Sequence, residues 1–72
     1  MNKIPVAKHL TDEEYHQLLQ TWSDHNASMN FEDCAKYDIG YVVEVIRKEN
    51  EDLQVCYEDG KSWNYTPDGR WY

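Results

Sequence analysis

The residues that could carry chemistry in this chain are three histidines and two cysteines: His9, His16, His25, Cys34 and Cys56. A zinc site usually takes its ligands in close pairs, such as two cysteines two to four residues apart. Here the two cysteines lie far apart, and the spacing of His16 and His25 does not place them on one helix face. The pattern therefore predicts no metal site and no cofactor site, with the histidines exposed on the helix and in loops.

A thiol nucleophile is the other chemistry that these residues could support, and Cys34 with His25 is its only thiol–histidine pairing. Catalytic thiols need a positive setting that lowers their pKa, whereas Glu32, Asp33 and Asp38 surround Cys34 in the sequence. There is no Gly-rich phosphate loop, and a chain of 72 residues has little room for a deep pocket. The sequence therefore predicts a protein that is not an enzyme, with two reduced and partly buried thiols.

Carboxylates dominate the charge of the chain, which has 14 acidic and 7 basic residues and a net charge of −7. Such a field opposes direct binding to nucleic acid or to anionic membranes, since both are polyanions, and it favours basic partners. It also serves solubility alone, which is the simpler explanation. No segment approaches the roughly 20 apolar residues that cross a bilayer, and the N-terminus lacks the apolar core of a signal peptide, so a soluble cytoplasmic protein is expected.

The elements that must position these groups begin with a helix predicted over residues 12–25. Thr11 and Glu14 have the spacing of a capping box, in which each side chain bonds the backbone N–H of the other residue. An apolar stripe with helical spacing follows. The stripe consists of Tyr15, Leu18, Leu19 and Trp22. A second, short helix is predicted over residues 31–37, with Phe31, Cys34 and Ala35 towards the core.

After Gly40 the pattern changes to alternating, β-branched strands separated by turn residues, of which Asp59-Gly60 is typical of a tight hairpin. The predicted strands span residues 41–47, 53–58 and 61–66, and residues 70–72 form a brief fourth strand or pack their rings on the sheet. One face is expected to carry Tyr41, Val43, Val45, Leu53, Val55, Tyr57, Trp63 and Tyr65. The predicted fold is a single α+β domain over residues 1–72, with the helices packed on a three- to four-stranded antiparallel sheet.

Recognition of another protein is the function that these residues favour. Acidic residues cluster around the predicted loop and hairpin tips, and Trp side chains supply the anchors that an interface needs. The predicted partner-binding residues are Glu49, Glu51, Asp52, Glu58, Asp59, Trp63 and Trp71. The expected partner is a nucleic-acid-binding protein with a basic surface, whose phosphate sites carboxylates can occupy; a homodimer is a further alternative.

A second hypothesis is that the protein is a small, aromatic-faced, barrel-like accessory module that binds a peptide or nucleic acid. It requires that at least two rings of one set be exposed together. That set is Trp63, Tyr65, Trp71 and Tyr72.

The C-terminal part of the chain resembles a known group of proteins. The pattern Gly40-x-Val42, followed by Leu53-x-Val55-x-Tyr57-Glu58-Asp59-Gly60-Lys61-x-Trp63, is similar to the meander of certain small type I anti-CRISPR proteins. The closing Tyr65-Thr66-x-Asp68-Gly69-Arg70-x-Tyr72 resembles the tail of many short phage and prophage proteins. The resemblance covers under half of the chain and rests mostly on hairpin residues. It implies a phage-encoded, non-enzymatic inhibitor that engages a host CRISPR surveillance complex, without assigning any site residue.

Overall fold

Two helices and a three-stranded antiparallel sheet form the part of the chain that the computed structural model describes, residues 3–72. The helices are α1 (Asp12–Ala27) and α2 (Phe31–Lys36), and the strands are β1 (Val42–Arg47), β2 (Leu53–Tyr57) and β3 (Ser62–Tyr65). Short 3₁₀ turns at Pro5–Ala7 and Ile39–Tyr41 precede α1 and β1. The α+β class predicted from the sequence is confirmed. Within residues 3–72, no helix combines the length and the apolar character needed to cross a membrane.

The start of α1 is fixed by its own first turn. Thr11 Oγ1 accepts from the Glu14 backbone N–H at 3.1 Å, and Glu14 Oε1 accepts from the Thr11 N–H at 2.8 Å. The predicted capping box is therefore confirmed. At the other end, Ser28 Oγ donates to the His25 carbonyl at 2.6 Å, and α1 ends at Ala27, slightly beyond the predicted residue 25.

The buried face of α1 is wider than its apolar stripe. Tyr15 and Leu18 are buried as predicted, while Leu19 and Trp22 are half-buried against the core. Thr21 and His25 are buried as well, because α1 lies over β3 and the C-terminal residues cover this side of the helix. The expectation of an exposed His25 is wrong for that reason.

The sheet has the strand order β1-β2-β3, and both pairs are antiparallel. An irregularity between Val42 and Glu44 inserts an extra residue into β1 opposite β2. A bulge of this kind shifts the alternation of side chains along the strand. Consequently Val42 is buried, whereas Val43 is 52% exposed and Tyr41 lies at the surface. The prediction that Tyr41 and Val43 face the core is wrong, and the rest of the predicted face is buried or half-buried.

The short helix α2 is attached mainly through polar contacts. Asn26 Nδ2 donates to the carbonyls of Cys34 and Tyr37, both at 3.2 Å, and Cys34 Sγ donates to the Asn26 carbonyl at 3.0 Å. Phe31, the first residue of α2, is 91% exposed, and Ala35 is also exposed. The expectation that these two side chains pack in the core is therefore wrong, while Cys34 is half-buried and, like Cys56, free.

The chain end returns beside β3. Asn64 and Tyr72 exchange two backbone hydrogen bonds, at 2.9 and 3.1 Å, and Tyr65 forms an isolated bridge with Trp71. The connecting turn is closed by the Thr66 N–H, which donates to the Arg70 carbonyl at 2.8 Å, and it contains Gly69 with a φ of +89°. The predicted fourth strand is thus reduced to this bridge.

Candidate protein-binding surface

The turn between β1 and β2 carries three of the predicted partner-binding acids. Glu49 and Glu51 are exposed, but Asp52 is only 5% exposed. The Asp52 carboxylate accepts a hydrogen bond from Asn50 Nδ2 at 3.1 Å and another from the Tyr72 hydroxyl. The hydrogen bond between Asp52 and Tyr72 raises the pKa of Tyr72. Asp52 therefore ties the turn to the chain end, and Glu49 and Glu51 are the carboxylates that a partner can reach.

Glu51 has an unusual backbone conformation. Its φ of 72° lies in the left-handed region, and it is the only non-glycine residue among those described to do so. Residues other than Gly, Asn and Asp pay roughly 1–2 kcal/mol to adopt this conformation. The turn therefore places a carboxylate where glycine or asparagine would be more stable.

The turn between β2 and β3 carries the other two acids. Asp59 Oδ2 accepts from the Tyr37 hydroxyl at 2.6 Å, and Oδ1 accepts from the Lys61 N–H at 3.0 Å. These bonds lower the pKa of Asp59, and the same contact raises that of Tyr37. Asp59 is thus hydrogen-bonded both to its own turn and to Tyr37 although it is exposed, whereas no side-chain hydrogen bond of Glu58 occurs among the described residues.

The structure does not bring the two acidic turns together. They lie at opposite ends of β2, which has five residues. A strand rises about 3.4 Å per residue, which puts the turns about 17 Å apart. A partner that contacts both must therefore span the length of the sheet.

The two predicted tryptophans pack around His25 rather than projecting into solvent. The ring centroids of Trp63 and Trp71 lie 4.8 and 5.1 Å from that of His25, and Trp63 also packs edge-to-face on Tyr37 at 5.0 Å. Both tryptophans are half-buried, and Tyr65 is fully buried. An aromatic binding face requires at least two exposed rings among Trp63, Tyr65, Trp71 and Tyr72, and only Tyr72 is exposed, at 63%.

A buried polar chain links the helix to the sheet, and the sequence analysis missed it. The Tyr65 hydroxyl lies 2.9 Å from His25 Nδ1 and 2.7 Å from the Tyr57 hydroxyl. Burial lowers the pKa of His25 and raises those of Tyr57 and Tyr65. One sequence signal was present: His25 lies seven residues after Leu18, which places it on the same helical stripe.

An acidic groove runs between α1 and the turns that face it. Its volume is about 660 Å³. Its lining residues are Thr11, Glu13, Glu14, His16, Gln17, Gln20, Thr21, Glu51, Pro67, Asp68 and Gly69. Gln17 Nε2 donates to the Glu51 carbonyl at 3.1 Å and to the Tyr65 carbonyl at 3.0 Å, which joins the helix to both turns. This groove was not predicted from the sequence.

The carboxylates of the groove differ in whether they form ion pairs. Glu14 pairs with Arg47 through two contacts of 2.6 Å, and this hydrogen-bonded pairing lowers the pKa of Glu14 to about 2. Asp68 lies 3.4 Å from Arg70 in an exposed ion pair and also accepts from the Thr66 hydroxyl. Neither Glu13 nor Glu51 has an ion-pair partner among the described residues. Glu13 and Glu51 are therefore exposed carboxylates of the groove lining that form no ion pair within the described residues.

Thr21 lines this groove and has an unusual feature. Its side chain is 1% exposed, and its Oγ1 is the one buried side-chain oxygen or nitrogen in residues 3–72 that has no hydrogen-bond partner. A buried polar atom without a partner destabilises a protein by roughly 1–3 kcal/mol. The Thr21 hydroxyl therefore lowers the stability of the fold, and its oxygen is shielded from solvent.

No cluster of three or more His, Cys, Asp or Glu side chains in residues 3–72 is arranged to hold a metal ion. Of the two thiols, Cys56 has its pKa raised, mainly by burial. Neither a protein-family model, nor a curated protein, nor a solved structure matches the chain.

Proposed function

We propose that the chain is a non-enzymatic, acidic protein-binding inhibitor that occupies a basic, nucleic-acid-binding surface of its partner. The observation that carries this proposal is the division of side chains between interior and surface. Trp63 and Trp71 pack around His25 and Tyr65 is fully buried, while Glu13, Glu49, Glu51 and Glu58 are exposed. These four carboxylates are free to contact a partner, and their natural counterparts are Arg and Lys side chains.

The backbone of the β1–β2 turn supports the same proposal. Glu51 is held at a φ of 72° in a turn that would be more stable with glycine. Residues held in unfavourable backbone conformations are concentrated at functional sites. A role for the Glu51 carboxylate in binding accounts for the presence of glutamate at this position.

The partner that we propose is a host type I CRISPR surveillance complex in the cytoplasm, in line with the resemblance of residues 40–72 to small anti-CRISPR proteins. Such a complex presents a positively charged channel to DNA. Carboxylates that occupy its phosphate-binding Arg and Lys residues would exclude target DNA by direct competition.

The test is target-DNA binding by a panel of purified type I surveillance complexes as the concentration of this protein rises. We expect the wild-type protein to displace DNA from at least one complex, and the effect to weaken as salt rises, because exposed charges are screened within about 10 Å at 0.1 M salt. The triple variant Glu49→Gln, Glu51→Gln and Glu58→Gln should inhibit at least about tenfold less, since each lost surface contact slows association and weakens binding.

The matched control is the triple variant Asp24→Asn, Glu32→Gln and Glu44→Gln, which makes the same change of net charge at exposed positions outside both turns. It should inhibit within about threefold of wild type, because steering by net charge alone is a smaller effect than loss of direct contacts. Wild-type protein that displaces DNA from no complex would refute the proposed partner. Equal inhibition by the two triple variants would refute the assignment of the contact to the acidic turns.

A further inference from the structure

We infer that α2 and the pocket beside it form an interface between two copies of this chain, in which Phe31 of each copy enters the pocket of the other. The Phe31 side chain is 91% exposed, more than any other large apolar side chain described. The pocket has a volume of about 480 Å³ and is lined by Ala35, Lys36, Tyr41, Glu58 and Asp59. This inference goes beyond the proposed function and does not depend on it.

Apolar surface extends from Phe31 to the pocket. Phe31 and Ala35 are four residues apart on α2, so their side chains lie on one face of the helix, about 6 Å apart. Ala35 is exposed, and Tyr41, which also lines the pocket, is 45% exposed. The Tyr41 carbonyl accepts from the Glu58 N–H at 2.9 Å, which holds this part of the lining beside the β2–β3 turn. An apolar patch with a polar rim is typical of an interaction site.

A two-fold axis lets both rings and both pockets find a partner at once. In such an interface, residue i of one copy contacts residue j of the other, and j contacts i. If the two α2 helices run antiparallel, Phe31 of each copy lies opposite Ala35 of the other, at the entrance to its pocket. The ring and the pocket belong to the same short helix and its neighbours, so a second copy is the occupant that matches both.

The charges of α2 complement one another in the same arrangement. Glu32 lies in the first turn of α2 and Lys36 in its last turn. Both are exposed, and neither forms an ion pair with any described residue, although four-residue spacing permits one within the helix. Helical spacing puts both side chains on the exposed side, next to Phe31 and Ala35. Antiparallel packing therefore brings Glu32 of each copy beside Lys36 of the other and forms two equivalent ion pairs.

The size of the contact predicts a weak dimer. Two phenylalanine rings and the pocket walls that they cover remove roughly 600–1,000 Å² of surface from water. Stable complexes bury about 1,200–2,000 Å². The net charge of −7 on each copy also opposes association. We therefore expect reversible dimerisation with a Kd above about 10 µM.

The test is sedimentation equilibrium of the full chain from about 10 µM to about 1 mM, at physiological salt. The average mass should rise from that of a monomer towards that of a dimer. Two-dimensional NMR spectra of ¹⁵N-labelled protein over the same range should change with dilution, with the largest amide shifts at Phe31, Ala35, Lys36 and Tyr41. These shifts locate the contact as well as detect it.

Phe31→Ala is the decisive variant, and the exposure of Phe31 means that it should fold normally. It should raise the Kd of the dimer at least about hundredfold, because a two-fold interface loses the ring twice and each buried ring contributes at least about tenfold. The matched control is Ile46→Thr, which removes apolar surface at another exposed position. Ile46 lies about 17 Å along β1 from Tyr41, so this variant should dimerise within about twofold of wild type.

A charge exchange tests the antiparallel arrangement. Glu32→Lys and Lys36→Glu should each weaken dimerisation at least about threefold, because each replaces two attractive pairs by repulsive ones. The double variant keeps the net charge of wild type and should restore the Kd to within about twofold. Glu32→Lys also lowers the net negative charge of each copy, so an effect of net charge alone would strengthen its dimer instead.

Wild-type protein that stays monomeric up to about 1 mM would overturn the inference, as would a Phe31→Ala dimer as tight as that of wild type. A double variant that fails to recover would overturn the antiparallel arrangement. None of these outcomes bears on the proposed function. Glu49 and Glu51 lie at the other end of β2 from the pocket, and inhibition of DNA binding is measured at submicromolar concentrations, where the protein is expected to be monomeric.

Discussion

Removal of the Tyr65 hydroxyl is the most direct test of the buried chain that joins α1 to the sheet. Tyr65 is fully buried, and its hydroxyl is the middle member of the chain between His25 Nδ1 and the Tyr57 hydroxyl. Tyr65→Phe keeps the ring and its packing, so it leaves the core filled. It removes one oxygen and leaves both neighbouring polar groups without this partner.

The expected loss follows from those two contacts. A buried polar group left without its partner destabilises the protein by roughly 1–3 kcal/mol. Two such groups, at 2.9 and 2.7 Å from the lost oxygen, give an expected destabilisation of about 2–6 kcal/mol. A chain of 72 residues has a total stability of only about 4–11 kcal/mol on the usual per-residue range. Tyr65→Phe should therefore remove a large part of the stability.

The assay is urea unfolding at neutral pH, followed by tryptophan fluorescence. The matched control is Tyr41→Phe, the same change at an exposed tyrosine whose hydroxyl makes no hydrogen bond among the described residues, and it should shift the free energy of unfolding by less than about 0.5 kcal/mol. A Tyr65→Phe variant that unfolds within about 0.5 kcal/mol of wild type would refute the structural role of the chain.

Three further outcomes are expected. Glu51→Asn should stabilise the protein by about 0.5–1 kcal/mol in urea unfolding, because asparagine tolerates the left-handed φ of 72°; a destabilised variant would contradict the strain at this turn. Thr21→Val should raise the free energy of unfolding by about 1 kcal/mol, since it removes a buried hydroxyl without a partner; an unchanged or lower melting temperature would contradict this expectation. Burial lowers the pKa of His25 below its ordinary 6.5, so only the unfolded chain takes up this proton just below that pH, and the free energy of unfolding should fall as the pH drops below 6.5. A pH titration of the urea midpoint that stays flat from pH 6.5 down to about 5 would contradict the buried, neutral His25.

Several features of this protein could be predicted from the sequence because they depend on neighbouring residues. The capping box of Thr11 and Glu14, the alternation of buried and less buried residues along β2 and the Asp59-Gly60 turn are local arrangements, and each is present in the structure. The net charge of −7 is a sum over residues and needs no fold. The exposure of Glu49, Glu51 and Glu58 follows from turn positions, where charged side chains remain hydrated.

Most of the candidate site could not be predicted from neighbouring residues. Asp52 has the same residue type and turn setting as its neighbours, yet it is buried by a contact with Tyr72, 20 residues away. Thr21 belongs to the groove only because the turns after β1 and β3 come to lie beside α1. No spacing along the chain reports contacts of this kind, because they depend on which segments the fold places side by side.

The distinction between local arrangements and contacts between distant segments also explains the wrong predictions for His25, Phe31 and Val43. Helical periodicity places His25 on the inner stripe, but its burial depends on Trp63 and Trp71, which arrive from the other end of the chain. Phe31 has the apolar character of a core residue and remains 91% exposed because α2 docks through Asn26 and Cys34. Val43 is turned outward by an extra residue in β1 relative to β2, a mismatch between two strands that neither strand encodes alone. Local backbone preferences are therefore readable in the sequence, whereas burial is a property of pairs of distant segments and arises only when the chain folds.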